Sequence, residues 1–313
     1  FAAWFFPTRL FIYCYFKESN VVREHITVRV PASTGNMGSG FDCIGMALDI
    51  WNSVIVRIGS PGLNISGEGE KTLPRNESNL IHKSLSMAFQ EHGMTVPELG
   101  IECKNEIPMQ RGLGSSSAAI ISGLLAGNEA CGRPLSQQRI LEMAATIEGH
   151  TDQVAPALLG GCQISLWEKD CLISSNVPIP EGLKVVLFIP DTHVSTKHAR
   201  DILPKEVSLE DAVYNVSRAA LLVRAFTLDD LTHLKISTDD RLHQPAREEV
   251  NPVMFKLFEA AQNAGALGVF LSGAGPTIVA LTKDRELTIG NYMADAAITV
   301  SYTHLTLPTN REV

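Results

Sequence analysis

EIPMQRGLGSSSAAI, residues Glu106–Ile120, leaves a strand-like run, crosses two glycines and enters three serines at the head of a small-residue helix pattern. Glycine lets the main chain come close to a ligand and serine hydroxyls add short polar arms, so the stretch reads as an anion cradle. If a helix starts at Ser115 or Ser116, its first-turn N–H groups and the positive end of its dipole face the turn Gly112–Leu113–Gly114. A phosphate is the natural occupant; an ordinary strand-to-helix turn is the plainer alternative. The GxxxxGK[ST] pattern is absent, the chain has no Gly-Lys dipeptide, and no strand-coupled GxGxxG supports a dinucleotide fold. The neighbouring sequence has to decide.

Composition narrows the function classes. The chain has 313 residues, 45% apolar and 19% charged, which describes a soluble globular protein large enough for two domains. A formal net charge of -8 argues against a broad footprint for nucleic acid or an anionic membrane and leaves small-molecule chemistry as the better expectation. The six cysteines form no C-x-x-C pair and read as small apolar residues in a reducing, cytoplasmic compartment. His193 and His198 are five apart, not the four-residue spacing of a helical metal pair, so no transition metal is expected.

Periodicity sets the order of elements. HITVRV alternates like a strand, ASTGNMGSGFDCIGMAL reads as a small-residue loop, and WNSVIVRIG as a second strand. NLIHKSLSMAFQEHG has helical spacing, with Asn79 as cap and Gly93 as stop. GIECKNE is a strand leading into the cradle; beyond it come a small-residue helix to about Ala130, a helix from Ser136 to Glu148, and the strand CQISLW. The second half reads as strand LKVVLFI, a long helix near Leu209–Phe226, a helix near Pro252–Asn263, and GVFLSGAGPTIVALT as strand, glycine loop and strand. Such alternation belongs to an α/β or α+β class.

Three motifs in order now carry a resemblance. PMQRGLGSSSAA resembles the phosphate loop of the GHMP kinases, VPASTGNMGSGFDCIGMAL their first motif and LSGAGPTIVAL their third. With EGHTDQVAPALLGG and VSTKHARDILP, the match runs from about Val28 to Lys283 and is most similar to the homoserine kinases of that superfamily. The resemblance implies an α+β fold of two domains, the first like domain 2 of ribosomal protein S5 with a left-handed βαβ crossover, the second ferredoxin-like. It implies residues 23–170 as an N-terminal ATP-binding domain and 171–300 as the C-terminal domain. Residues 1–22, apolar but broken by Pro7 and Arg9, read as an extraneous segment. Residues 301–313 resemble nothing in the family and read as a non-native tail in the place of the last strand of the second domain.

The resemblance also implies a chemistry, ATP-dependent phosphorylation of the L-homoserine hydroxyl on the route to threonine. A kinase for another small alcohol, such as mevalonate, and a silent binding module of the same fold are the alternatives. Pro108, Arg111, Gly112, Leu113, Gly114, Ser115, Ser116 and Ser117 would wrap the ATP phosphates, faced by Gly273 and Gly275 from the third motif. Ser116 and Glu148 would hold Mg²⁺, with Glu142 as the alternative carboxylate. On the acceptor side, Asn36 and Asp42 would hold the ammonium; Arg200, after Thr196, and Arg247 would grip the carboxylate, with Arg241 as a substitute for Arg247. Arginine suits the task because its planar fork binds carboxylates at two points. His150 and Asp152 fit the family's H-x-D-N segment, where this chain has Gln153 in place of asparagine. Asp152 is the local candidate for a base, and capping the helix of QVAPALL is its structural alternative. No membrane or nucleic acid is implied, and a homodimer is compatible.

Overall fold

In the computed structural model the residues described are 25–132 and 135–299, with two short strands at 2–4 and 12–14. Two antiparallel hairpin systems and a helical layer organise the first half. Strand β3 (His25–Gly35) is preceded by β1 (Ala2–Trp4) and β2 (Ile12–Cys14) and followed by β4 (Ile44–Ile58), β5 (Gly62–Gly67), α1 (Leu80–Glu91) and β6 (Leu99–Asn105). Then come α2 (Ser115–Ala130), α3 (Gln137–Glu148), α4 (Val154–Leu159), β7 (Cys162–Glu168) and β8 (Cys171–Val177). The sheet runs β2-β3-β4-β6-β5, with β7 on the far end of β4 and β8 on β7. β5 and β6 pair in parallel, and α1 supplies the connection between them.

Both small-residue motifs lengthen strands beyond what alternation predicts. β3 continues through Pro31–Gly35, and β4 begins at Ile44, so the expected loop is only the turn between them; a register shift at Pro31/Ala32 hides the change from a period-2 reading. The cap at Asn79 forms as expected, accepting from the N–H of Ile81, and Ser136, expected as the first residue of its helix, is its N-cap, accepting from the N–H of Arg139. α2 is buried nearly all round. Its small residues serve contact with α1: a Cβ on Gly123 would lie 2.4 Å from the Ile81 carbonyl oxygen.

The second half contains β9 (Lys184–Phe188), α5 (Thr196–Asp201), α6 (Leu209–Thr227), α7 (Leu234–Ser237), α8 (Gln244–Arg247), α9 (Met254–Asn263), β10 (Gly268–Leu271), β11 (Ile278–Thr282) and α10 (Glu286–Thr299). Its sheet has the order β1-β9-β11-β10, all antiparallel. Helices α9 and α10 cover one face with Met254, Leu257, Phe258, Ile289 and Met293. β8 pairs with β7, so the first sheet extends to Val177, past the division expected at 170. The outer edge of β9 is occupied by β1, which lies within the segment expected to be extraneous. β2 lies in the same segment and pairs with β3; the other residues of that segment and the tail 301–313 fall outside the described residues. Among those described, no helix is long and apolar enough to cross a membrane.

Candidate active site

The cradle forms where β6 hands over to α2. The helix begins at Ser115, and its N-cap, Gly114, sits at φ 70° without a side-chain cap, which leaves the first-turn N–H groups facing the loop. Gly112, at φ +74°, is required by space as well as by conformation, because a Cβ there would lie 2.0 Å from the Ser272 carbonyl oxygen of the third motif. Ser272 Oγ donates to the Gly112 carbonyl at 2.7 Å, so the third motif is stitched directly onto the phosphate loop.

A cavity of about 410 Å³ opens over this loop, lined by Gly112–Ser116, Glu148, Gln153 and Thr196, with an apolar end at Ile65, Leu80 and Ile107. Ser116 Oγ donates to Glu148 Oε1 at 2.5 Å and Ser117 Oγ to the same oxygen at 3.1 Å. The loop serine and the helix-end carboxylate therefore share one wall. Glu142 is elsewhere, bonded to Gln138 Nε2 at 2.8 Å and beside Arg139. Of the expected loop residues, Arg111 is turned away: its Nε donates to the Pro190 carbonyl at 2.7 Å and its Nη2 to that of Asp191 at 3.2 Å. Arg111, Pro108 and Gly275 line neither cavity, although Gly275 lies against Gly112.

A smaller cavity of about 30 Å³ adjoins the first, and Gly112, Gln153 and Thr196 line both. Asn36, Asp42, His150, Asp152, Arg200, Arg247 and Gly273 complete its wall. Arg200 meets Asp42 side by side, Nη1 to Oδ2 at 2.9 Å and Nη2 to Oδ1 at 2.7 Å. That hydrogen bond, working against partial burial, holds the guanidinium above its usual range. Asn36 is committed to main chain: its Nδ2 donates to the Gly273 carbonyl at 2.9 Å, and its Oδ1 accepts the Asp42 N–H at 2.9 Å. It positions Asp42 and joins the first motif to the third.

Arg247 is only 2% exposed and has no carboxylate within ion-pair distance among the described residues. Burial, then the field of Arg200, pushes it down to about 10, still a cation at neutral pH. Its Nη1 donates to the Gly273 carbonyl at 2.8 Å and to His243 Nδ1 at 2.9 Å. A buried guanidinium held by neutral acceptors is a standing invitation to an anion. Arg241 lies on the surface instead, near Glu210 and Asp211 and over the Tyr214 ring.

Asp152 does not cap α4; it accepts from His150 Nδ1 at 2.8 Å, and the α4 N-cap is Gln153, without a side-chain cap bond. The imidazole also has Glu148 Oε1 3.6 Å from its Nε2. Burial opposes its charge, but the Asp152 hydrogen bond and the fields of Asp152 and Glu148 outweigh that, so its pKa is raised. Gln153 Nε2 donates to the Ser33 and Gly112 carbonyls at 3.2 and 3.0 Å. The extra methylene relative to asparagine is absorbed in that reach.

Two residues escape a motif reading. Lys197, next to Thr196, lines the larger cavity and forms no ion pair among the described residues. His243 is fully buried, stacks on Phe41 with ring centroids 5.1 Å apart, and contacts the Gly38 carbonyl through Nε2 at 2.9 Å. Its position four residues before Arg247 was the available signal, since that spacing faces one side of a helix.

Comparison with known proteins identifies the family. Family models described as "GHMP kinases N terminal domain" and "GHMP kinases C terminal" match residues 79–161 and 227–295. A homoserine kinase of Moorella thermoacetica is 42% identical over 270 residues, 86% of this chain and 91% of the relative. One from Caldicellulosiruptor saccharolyticus is 43% identical over 261 residues, covering 83% and 85%. The crystal structure of homoserine kinase from Cytophaga hutchinsonii superposes with a TM-score of 0.80 at 29% identity, covering 92% of this chain and 94% of that one. The chain belongs to the GHMP kinases and, among them, to the homoserine kinase family.

Proposed function

We propose that this chain phosphorylates the side-chain hydroxyl of L-homoserine with ATP, giving O-phospho-L-homoserine. The observation that carries the reading is the shared wall: a phosphate-loop cavity meets a small cavity holding Asp42, Arg200 and Arg247, and Gln153 stands at the junction. Relatives of this family use ATP as phosphate donor, typically with Mg²⁺. The uncapped α2 terminus and the glycine turn fit a phosphate chain, and the paired Ser116 and Glu148 oxygens fit a hard divalent cation. When bound, Mg²⁺ supplies neutralisation of phosphate charge during transfer.

The remaining chemistry is done by side chains. Asp42 and Arg200 satisfy each other in the free protein. A substrate carrying both an ammonium and a carboxylate replaces each partner, giving Asp42 the ammonium and Arg200, with Arg247, the carboxylate. An acid without an amine leaves Asp42 unpaired, a cost that selects against mevalonate-like alcohols. Gln153 fixes the turn of the phosphate loop at the point where the hydroxyl arrives. Asp152 is engaged by His150 and serves to hold that imidazole; no base is required if the transferred phosphoryl group accepts the proton.

Phosphorylation assays with L-homoserine, mevalonate, shikimate and L-threonine test the reading. Turnover of L-homoserine at least tenfold faster than of the others is expected. Preference for mevalonate, or ATP binding without turnover of any alcohol, would replace it by the other-alcohol or the silent-module reading.

A further inference from the structure

Behind the Arg247 helix, on the side away from the reaction, lies a separate cavity of about 350 Å³. Its walls include Tyr214, Asp239, Gln244, Phe255, Phe258 and Glu259. Three features give it a definite chemistry. First, Asp239 and Glu259 both line it, and neither forms an ion pair among the described residues. Burial holds Asp239 above the usual carboxylate range against the fields of Arg218 and Lys235, so its charge is under-compensated. Second, Phe255 and Phe258 meet edge to face, with centroids 5.5 Å apart and planes at 80°, and form an aromatic wall beside those carboxylates. Third, Gln244 is 3% exposed, and its Oε1 accepts the Leu271 N–H at 2.8 Å, which fixes the amide orientation. Its Nε2 is then a donor with no acceptor among the described residues, on the wall of this cavity.

We propose that this cavity is a second ligand site, for a small primary ammonium that carries a hydrogen-bond acceptor on an aromatic or apolar body. The ammonium lies between Asp239 and Glu259 and near the phenyl rings, which attract cations through their faces. The acceptor takes the Gln244 amide. Among the described residues the lining carries carboxylates and no cation, which opposes an anionic ligand; Arg218 and Arg241 stand behind the wall, against the Tyr214 ring.

The site is wired to the acceptor side of the reaction. Asp240, on the same wall, accepts the N–H groups of His243 and Gln244 at 2.9 and 2.7 Å. His243 holds Arg247, and Gln244 holds Leu271, two residues before the Gly273 carbonyl that also binds Arg247. A ligand drawing on Gln244 therefore bears on the arginine assigned to the substrate carboxylate. This coupling rests on the homoserine reading; the binding does not.

Calorimetry on the whole protein, without substrates, tests the site with 2-phenoxyethylamine, its isostere 3-phenylpropylamine, neutral 2-phenoxyethanol and anionic phenoxyacetate. Expected are binding of both amines at one site, a preference of about threefold or more for the ether, and no binding of the alcohol or the acid. Asp239→Asn with Glu259→Gln should weaken amine binding at least about tenfold while leaving basal turnover intact. Equal binding of the four compounds, no binding at millimolar concentration, or binding indifferent to the double variant overturns the site. In steady-state kinetics the ether amine should shift KM for L-homoserine and leave KM for ATP unchanged. Binding without that shift overturns the coupling alone, and absence of any kinase activity with amine binding intact indicts the reaction assignment rather than the site.

Discussion

The two halves of the reaction site are built by opposite means. The phosphate side is main chain: an uncapped helix terminus, a glycine turn pressed against the Ser272 carbonyl, and a single carboxylate fixed by two serine hydroxyls. The acceptor side is side-chain charge drawn from four segments of the chain, with an exposed-edge ion pair in Asp42–Arg200 and a buried cation in Arg247 that has no ion pair among the described residues. Backbone donors cannot be substituted away and bind any phosphate; side-chain charges can be exchanged and so carry the choice of alcohol. On the proposed reading, reaction type resides in the loop and substrate identity in the charges.

The comparison breaks most visibly at Glu148, the one side chain on which the phosphate side depends. Glu148→Gln should lower kcat at least about a hundredfold, roughly 3 kcal/mol, through loss of metal-assisted stabilisation. Glu142→Gln, remote from the cavity, should lower it less than about threefold. Because the field of Glu148 helps raise the His150 pKa, the same substitution should lower it in an NMR titration. Equal kinetic losses in the two variants, or an unmoved imidazole, would remove Glu148 from its assigned place.

Acid should attack the acceptor side first. Burial, together with Arg247, pushes His243 down to about 4 from its ordinary 6.5, against the pull of Asp240. Its folded pKa is depressed, so its contribution to stability is intact above about pH 6.5 and is lost as pH falls toward 4. His150 has the opposite sign: its raised pKa favours the fold below about pH 6.5, and the benefit disappears as pH rises through the folded value. Denaturant titrations of the wild type and of His243→Gln between pH 4 and 7 separate the two; a variant that loses stability with acid as steeply as the wild type contradicts the assignment.

Exchange of charges predicts a narrower effect at Arg200. With a third of the pair exposed, Arg200→Ala should raise KM for L-homoserine about thirtyfold, near 2 kcal/mol, and leave KM for ATP within about twofold. Equal effects on both substrates would make the residue structural. The smallest change is expected at the junction: Gln153→Asn should keep turnover within about threefold, because the shorter amide reaches one of the two carbonyls less well. A collapse there would show that orientation at the hydroxyl depends on the longer side chain.

The phosphate side was legible because glycines and serines in fixed order are needed wherever a backbone must wrap an anion. The cap at Asn79 was legible for the same local reason. The extended ends of β3 and β4 were not, since a bulge and a run of buried small residues erase the alternation that marks a strand. Arg111 was misplaced because its partner carbonyls at 190 and 191 belong to a segment with no sequence sign of proximity. The Asp42–Arg200 pair and the His243 support of Arg247 are tertiary facts, visible only once residues 158 apart, or on a buried face, are brought together.

The bond from Asn36 to the Gly273 carbonyl spans 237 residues. Contacts of such sequence separation are late in folding, because the chain must first meet the entropy of closing a loop of that size. On a ribosome the phosphate loop and all the charges of the acceptor side have emerged before the third motif that joins them. Any chain cut short of Gly273 keeps Asp42, Arg200 and Arg247 but loses the carbonyl that holds Asn36 and Arg247 together beside the phosphate loop.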